Sequence, residues 1–218
     1  MGWTQERLAA ALEYHRLGLP IAICKGKAPL GVGWSTSSSG CDWGNLKWTT
    51  DDIRRAFNVY PDANVGVKLG PTSGLIDIEA DSPAEEAAFE QLFAGVEIPE
   101  HPRFVSTRGT HRLFRYDDRL AAAGKGVIKF GGCLGVRTGA CDKAIQSVFP
   151  PAQNGDGSLR RWVVSIVDCE PPALPEIVIE RLLANPANDK AVPSSASKFP
   201  INGDRQRVVD RAAKYLAK

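Results

Sequence analysis

Leu75-Ile76-Asp77-Ile78-Glu79 sets acids and aliphatic residues in strict alternation. In a β-strand, successive side chains point to opposite faces. Asp77 and Glu79 therefore share one face, and Ile76 and Ile78 share the other. One face suits a core and the other carries charge. The Cα atoms of the two acids stand roughly 7 Å apart, given a rise of about 3.3 Å per residue. Carboxylate oxygens at that separation can converge on one or two hard divalent cations, and all-oxygen ligation favours Mg²⁺ or Mn²⁺. A bare D-x-E is more often the solvated face of an edge strand, so the surrounding sequence has to decide.

Outward from this strand, helix and strand signals are interspersed. Gly70-Pro71-Thr72-Ser73-Gly74 is a turn, and Asn64 to Leu69 before it alternates as a strand. Ser82-Pro83-Ala84-Glu85 is a capping box with proline at the first helical position, opening a helix to about Phe93. Arg103 to Ser106 and His111 to Tyr116 are strand candidates joined by Thr107-Arg108-Gly109-Thr110. Leu134 to Arg137, Ala144 to Phe149 and Arg161 to Val167 are further strands, and Glu176 to Leu183 is helical. On the N-terminal side, Trp3 to Leu17 has a helical rhythm with Thr4 as its cap. Pro20 to Cys24 reads as a buried strand, Lys25 to Gly44 as a loop, and Thr50 as the cap of a helix to about Phe57.

The 218 residues suffice for one large α/β domain with a tail. The expected division is a catalytic domain over 1–184, a linker over 185–203 and, over 204–218, the start of a C-terminal helix truncated from a longer protein. Hydrophobic content of 43% and charged content of 24% are those of a soluble globular protein. No apolar run approaches the ~18 residues needed to span a membrane, and the N-terminus lacks the pattern of a signal peptide. Five scattered cysteines without C-x₂₋₄-C spacing read as reduced thiols, so a cytoplasmic location is expected.

The net charge of +2 hides an asymmetry. Pro71 to Glu100 contains no Lys or Arg but holds Asp77, Glu79, Asp81, Glu85, Glu86, Glu90, Glu97 and Glu100. The segment from Arg103 to Arg161 is rich in Arg and Lys. Acids that hold cations beside a basic wall that holds phosphates would give this pattern, although charge blocks more often mark solvated faces. A second local signal is Ser106-Thr107-Arg108-Gly109-Thr110-His111-Arg112-Leu113-Phe114. Its glycine permits close approach of the backbone to a ligand, and Thr, Arg and His surround it with donors suited to phosphate.

Taken in order, these segments resemble the bifunctional DNA primase/polymerase N-terminal (Prim-Pol) family of the archaeo-eukaryotic primase superfamily. The resemblance runs from about Leu8 to Val164. Its marks are Ala11, Tyr14 and Gly18, then Lys27-Ala28-Pro29 and Trp34, then a short helix, Pro61, and Asn64-Val65-Gly66-Val67-Lys68-Leu69-Gly70. Ser73 to Glu79 looks like the first catalytic motif, and Thr107-Arg108-Gly109-Thr110-His111 with Phe114 looks like the second. Arg137-Thr138-Gly139, Pro150-Pro151, Gly157 and Trp162 complete the series.

The resemblance implies a primase-polymerase core: a mixed, largely antiparallel sheet flanked by helices, with both motifs on neighbouring strands. It implies a nucleotidyltransferase of DNA replication, acting as DNA primase, DNA polymerase or both. A 3′-hydroxyl would attack the α-phosphate of an NTP or dNTP on a single-stranded DNA template with primer. Asp77 and Glu79 would bind Mg²⁺ or Mn²⁺. His111 would hold the triphosphate beside Thr107, Arg108, Gly109 and Arg137, with Lys27 as a secondary candidate. A helicase, fused downstream or associated, is the expected partner. In one respect the chain departs from the family, because many members carry an acid where Gly135 stands. Asp142 is a secondary candidate for the missing ligand, and Asp81 is the next alternate position after Glu79. Two other readings remain: a nucleotide- and DNA-binding replication-initiation module without efficient synthesis, and a metal-dependent nuclease. Trp34, Trp43 and Trp48 could stack on bases, though packing is the commoner role for tryptophan.

Overall fold

A computed structural model describes residues 2–34, 43–141 and 143–184. Asp142, Cys41, and the expected linker and C-terminal helix over 185–218 lie outside the described residues. The elements run α1 (Trp3–Arg16), β1 (Ile21–Lys25), β2 (Ala28–Pro29), α2 (Thr50–Val59), β3 (Asn64–Lys68), β4 (Leu75–Ala80) and α3 (Pro83–Leu92). They continue with β5 (Arg103–Val105), β6 (Thr110–Arg115), β7 (Val127–Phe130), β8 (Leu134–Arg137), β9 (Gln146–Phe149), β10 (Ala152–Gln153), β11 (Leu159–Val164) and α4 (Glu176–Leu183).

The strands form two sheets, one of four in the order β2-β1-β3-β9 and one of seven in the order β10-β11-β5-β6-β4-β8-β7. The fold is the expected mixture of helices and sheet, and its strand pairs are antiparallel. β4 is central to the larger sheet, with β6 on one side and β8 on the other. The D-x-E pair therefore does not lie on an edge strand.

The alternation read from the sequence divides the interior into two cores. Ile76 and Ile78 of β4 pack with Phe89 and Leu92 of α3, Val136 of β8, and Val178 and Leu182 of α4. On the opposite face, Leu75 of β4, Leu113 of β6 and Phe104 of β5 join a second core. That core also takes in Val65 of β3, Phe149 of β9, Tyr14 of α1 and Ile53 of α2. The smaller sheet and helices α1 and α2 thus cover the same face of the larger sheet that carries Asp77. Several residues that carried the family resemblance meet here. The Tyr14 hydroxyl donates to the Pro150 carbonyl, and Trp162 Nε1–H donates to the Tyr14 hydroxyl oxygen at 2.8 Å.

The caps differ from expectation by one or two residues. α1 begins after Gly2 rather than Thr4: Gln5 N–H bonds the Gly2 carbonyl at 2.9 Å, and the Gln5 side chain accepts from Gly2 N–H at 3.3 Å. At α2 the cap is Thr49, not Thr50. Thr49 Oγ1 accepts from Asp52 N–H at 3.1 Å, and the Asp52 carboxylate accepts from Thr49 N–H at 3.3 Å. At α3, Ser82 accepts from Glu85 N–H as expected, but the Glu85 carboxylate reaches back to Asp81 N–H. The Thr49 cap is a stability element. Thr49→Ala should lower unfolding free energy by about 1 kcal/mol in urea denaturation, and Thr50→Ala by clearly less. Equal effects would show that the cap has been misplaced.

Candidate active site

Glu79 lies opposite His111 of β6 on one side and Gly135 of β8 on the other, while Asp77 lies opposite Leu113 and Arg137. This register sets Asp77, Glu79 and His111 on one face of the sheet. Each offers a ligand atom within 4.8 Å of the others. His111 Nδ1 and Asp77 Oδ2 are 2.8 Å apart. With Nδ1–H donating to the carboxylate, Nε2 is left as the ring nitrogen available to a ligand. The imidazole is also fixed from below, stacking on Phe104 with centroids 4.5 Å apart and planes inclined by 8°.

Asp77 is fully buried. Its Oδ2 also accepts from the Ser147 hydroxyl of β9 at 2.5 Å, whereas its Oδ1 is buried with no hydrogen-bond partner. Burial alone would push this carboxyl up. The neighbouring His111 charge, hydrogen bonds from His111 and Ser147, and the Arg137 charge outweigh burial and hold it below the ordinary carboxylate value. A buried carboxylate with one orphaned oxygen, next to Glu79 and an imidazole, is a donor set that fits a hard divalent cation.

Glu79, His111, Arg137 and Ser147 line a cavity of about 150 Å³ together with Lys27, Arg108 and Arg160. A second cavity of about 330 Å³ adjoins it, sharing Lys27, Arg108 and Arg160 and adding Thr107, Asn154 and Asp156. Arg137 binds Glu79 Oε2 through Nε at 2.8 Å and through a terminal nitrogen at 2.6 Å. Arg108 pairs with Asp81 at 2.5 Å. Arg160 is nearly buried, donates to the Val148 carbonyl at 2.8 Å and lies over the Phe104 ring. Desolvation lowers the Arg160 pKa, against the pull of Asp77 and Glu79. The Lys27 ammonium is lowered by desolvation and by the Arg160 and Arg108 charges. A larger cavity of about 540 Å³ lies elsewhere, between Leu17, Leu75, Ile166 and Cys169, and includes none of these groups.

A family model described as the N-terminal domain of bifunctional DNA primase/polymerase (Prim-Pol) matches residues 11–177. The chain belongs to the Prim-Pol family. It is thereby of the nucleotidyltransferase type found in DNA primases and polymerases. No curated protein matches it closely enough to count as a relative.

In this Prim-Pol domain the predicted residues separate into those that converge and those that do not. Asp77, Glu79, His111, Arg108, Arg137 and Lys27 line or underlie the smaller cavity, and Thr107 lines the adjoining one. Gly109 lines neither cavity. A Cβ there would come within 1.8 Å of the Ala80 carbonyl oxygen, so this glycine serves the passage of the turn against β4 rather than contact with a ligand. The basic wall is narrower than the composition suggested. Arg112 points to the other face, pairs with Glu86 at 2.7 Å and covers the Phe89 ring. Arg115 pairs with Glu170, and Arg119 with Asp117 and Glu176. The tryptophans are packing residues. Trp34 stacks on the buried Trp48 at 6.0 Å, and Trp43 packs against the cluster of Ala22, Cys24 and Val148. Cys24, Cys133, Cys141 and Cys169 are free thiols. No helix among the described residues is long and apolar enough to cross a membrane.

The sequence reading did not assign Ser147, Arg160, Asn154 or Phe104 to the site. Arg160 was one charge in a basic segment, and no motif distinguishes it from Arg161. Strand alternation was the available signal: the β11 pattern buries position 160 and exposes 161. Ser147 lies in the other sheet, so no spacing relates it to Asp77.

Proposed function

We propose that this domain carries out template-directed nucleotidyl transfer as a DNA primase or polymerase, with Asp77, Glu79 and His111 at its reacting centre. The observation that carries the reading is the convergence of these three side chains beneath a cavity ringed by Lys27, Arg108, Arg137 and Arg160. Asp77 and Glu79 are the residues that would hold Mg²⁺ or Mn²⁺. Such an ion, when bound, supplies Lewis acidity that lowers the pKa of the attacking 3′-hydroxyl and offsets charge on the leaving pyrophosphate.

The chain's own residues account for the rest. His111 is held by Asp77 and Phe104, which leaves Nε2, when it carries a proton, to donate to a phosphate oxygen. Arg160 and Lys27 face both cavities, so a polyphosphate lying across them would be neutralised along its length. Arg108 is exposed and, among the described residues, its ion pair is with Asp81, and a phosphate can draw it from that partner at little cost. Thr107 and Asn154 are already joined by a hydrogen bond of 2.9 Å at the outer cavity and could meet the sugar or base. Single-stranded DNA template and primer are the accompanying substrates in this reading. A downstream helicase rests on the family resemblance alone, and the domain division at residue 184 rests on the composition of the segment that follows it.

Primer extension with Mn²⁺ and dNTPs tests the proposal. Synthesis by the wild-type chain is expected. Retained DNA binding without any extension would leave the binding-module reading instead, and degradation of the primer would favour a nuclease. His111→Ala should raise the KM for the incoming nucleotide about tenfold or more, the scale of one lost charge-assisted contact. DNA affinity should change far less. The opposite pattern would refute the role assigned to His111.

A further inference from the structure

The position opposite Glu79 on β8 is Gly135, which contributes no carboxylate of its own, and its vacant side faces Glu79 and Lys129. A Cβ built there would stand 3.4 Å from Lys129 Nζ, 3.6 Å from Glu79 Cγ and 3.8 Å from Glu79 Oε1. The ammonium of Lys129, from the paired position on β7, therefore borders the space beside the second oxygen of Glu79. The first oxygen, Oε2, is taken by Arg137. Two divalent ions some 3.5–4 Å apart bring four positive charges together, and they need several carboxylates, some of them bridging. Among the described residues the ligand group is Asp77, Glu79 and His111, and Asp81 is engaged by Arg108. The orphaned Asp77 Oδ1 marks where one cation is wanted. On the Gly135 side an incoming cation would meet Lys129 and Arg137.

We infer that the site holds one divalent ion, on the side of Asp77 and His111, and that Lys129 and Arg137 provide the positive charge where a second ion would sit. The inference rests on the nucleotidyl-transfer reading for its substrate, but the ion count is measured without nucleotide, so the two can fail separately. Mn²⁺ titration of the full chain, followed by electron paramagnetic resonance of the free ion at constant ionic strength, should give one ion per chain. Gly135→Asp places a carboxylate between Lys129 Nζ and Glu79 Oε1 and should raise the count to two. Lys129→Glu brings a carboxylate to the same space from the neighbouring strand and should do likewise. It decides the matter should Gly135→Asp fail to give a native circular dichroism spectrum. Two ions or none in the wild type would overturn the inference. A single ion in a folded variant of either kind would also overturn it. One ion bound without primer extension would sink the enzyme reading and leave the count standing, whereas two ions with efficient extension would do the reverse.

Discussion

Asp77→Asn should reduce nucleotide incorporation by on the order of 10³-fold, the upper range for loss of a preorganised electrostatic group, while the protein remains folded. The replacement is nearly isosteric, so no cavity forms. Its amide has two orientations, and both are wrong. With the carbonyl oxygen in the place of Oδ2, it can still accept from His111 and Ser147 at their distances of 2.8 and 2.5 Å. The NH₂ then occupies the place of the orphaned Oδ1, presenting hydrogens where a cation would bind. In the flipped orientation the NH₂ faces two donors, and His111 loses the bond that fixes its ring. Single-turnover incorporation with Mn²⁺, alongside thermal melting, measures both effects. A folded variant that keeps more than about a tenth of wild-type activity would be outside the range for such a group and would show that the reacting centre lies elsewhere. The double variant Asp77→Ala, Glu79→Ala should sit at background.

Phe104→Ala should be the most damaging single change to stability, costing about 3–5 kcal/mol as is usual for a buried phenylalanine. The ring is fully buried. It packs against Trp162 at 5.2 Å and Phe149 at 5.7 Å, and it carries the His111 ring on its face. Removing it deletes packing from the core between the two sheets and takes the floor from under His111. Phe104→Leu retains much of the volume and should cost roughly 1.5 kcal/mol or less, yet it too loses the flat surface against the imidazole. Urea denaturation of both variants, with the nucleotide KM of Phe104→Leu, separates the two roles. Collapse of the surrounding core into the gap would appear as a loss well under about 2 kcal/mol for the alanine variant, which would deny Phe104 its place as a keystone.

Much of this was legible because it is local. Alternation in Leu75 to Glu79 correctly separated Ile76 and Ile78 from Asp77 and Glu79, since strand pleat alone decides it. The strands bearing Glu79 and His111 were expected as neighbours from the family resemblance, and they pair directly. What escaped was non-local or lay in short segments. β7 was missed although Gly131-Gly132, both at positive φ, marked the turn into β8. Without β7, Lys129 could not be set beside Gly135. Ser147 reaches the site only because the smaller sheet lies across the larger, and Arg160 because β11 pairs with β5, and sequence periodicity holds no information about either. The basic wall was overdrawn for the same reason: composition counts Arg112 and Arg115, whereas pairing decides which face or partner each one meets.

The two sheets are interleaved along the chain. β1 to β3 open the smaller sheet, β4 to β8 build most of the larger one, β9 returns to the first, and β10 and β11 return to the second. A chain emerging from the ribosome therefore exposes Asp77 well before Ser147 exists to bond it. Until β9 arrives, β3 presents an unpaired edge, and the acid that will be buried has no cover from the other sheet. Such a contact between residues 70 positions apart is among the slow ones to form. The nascent intermediate has the open strand edge that chaperones and aggregation both recognise. The candidate site is thus completed only once β9 has been made, and the segment from Leu75 to Phe149 is the interval over which Asp77 waits for Ser147.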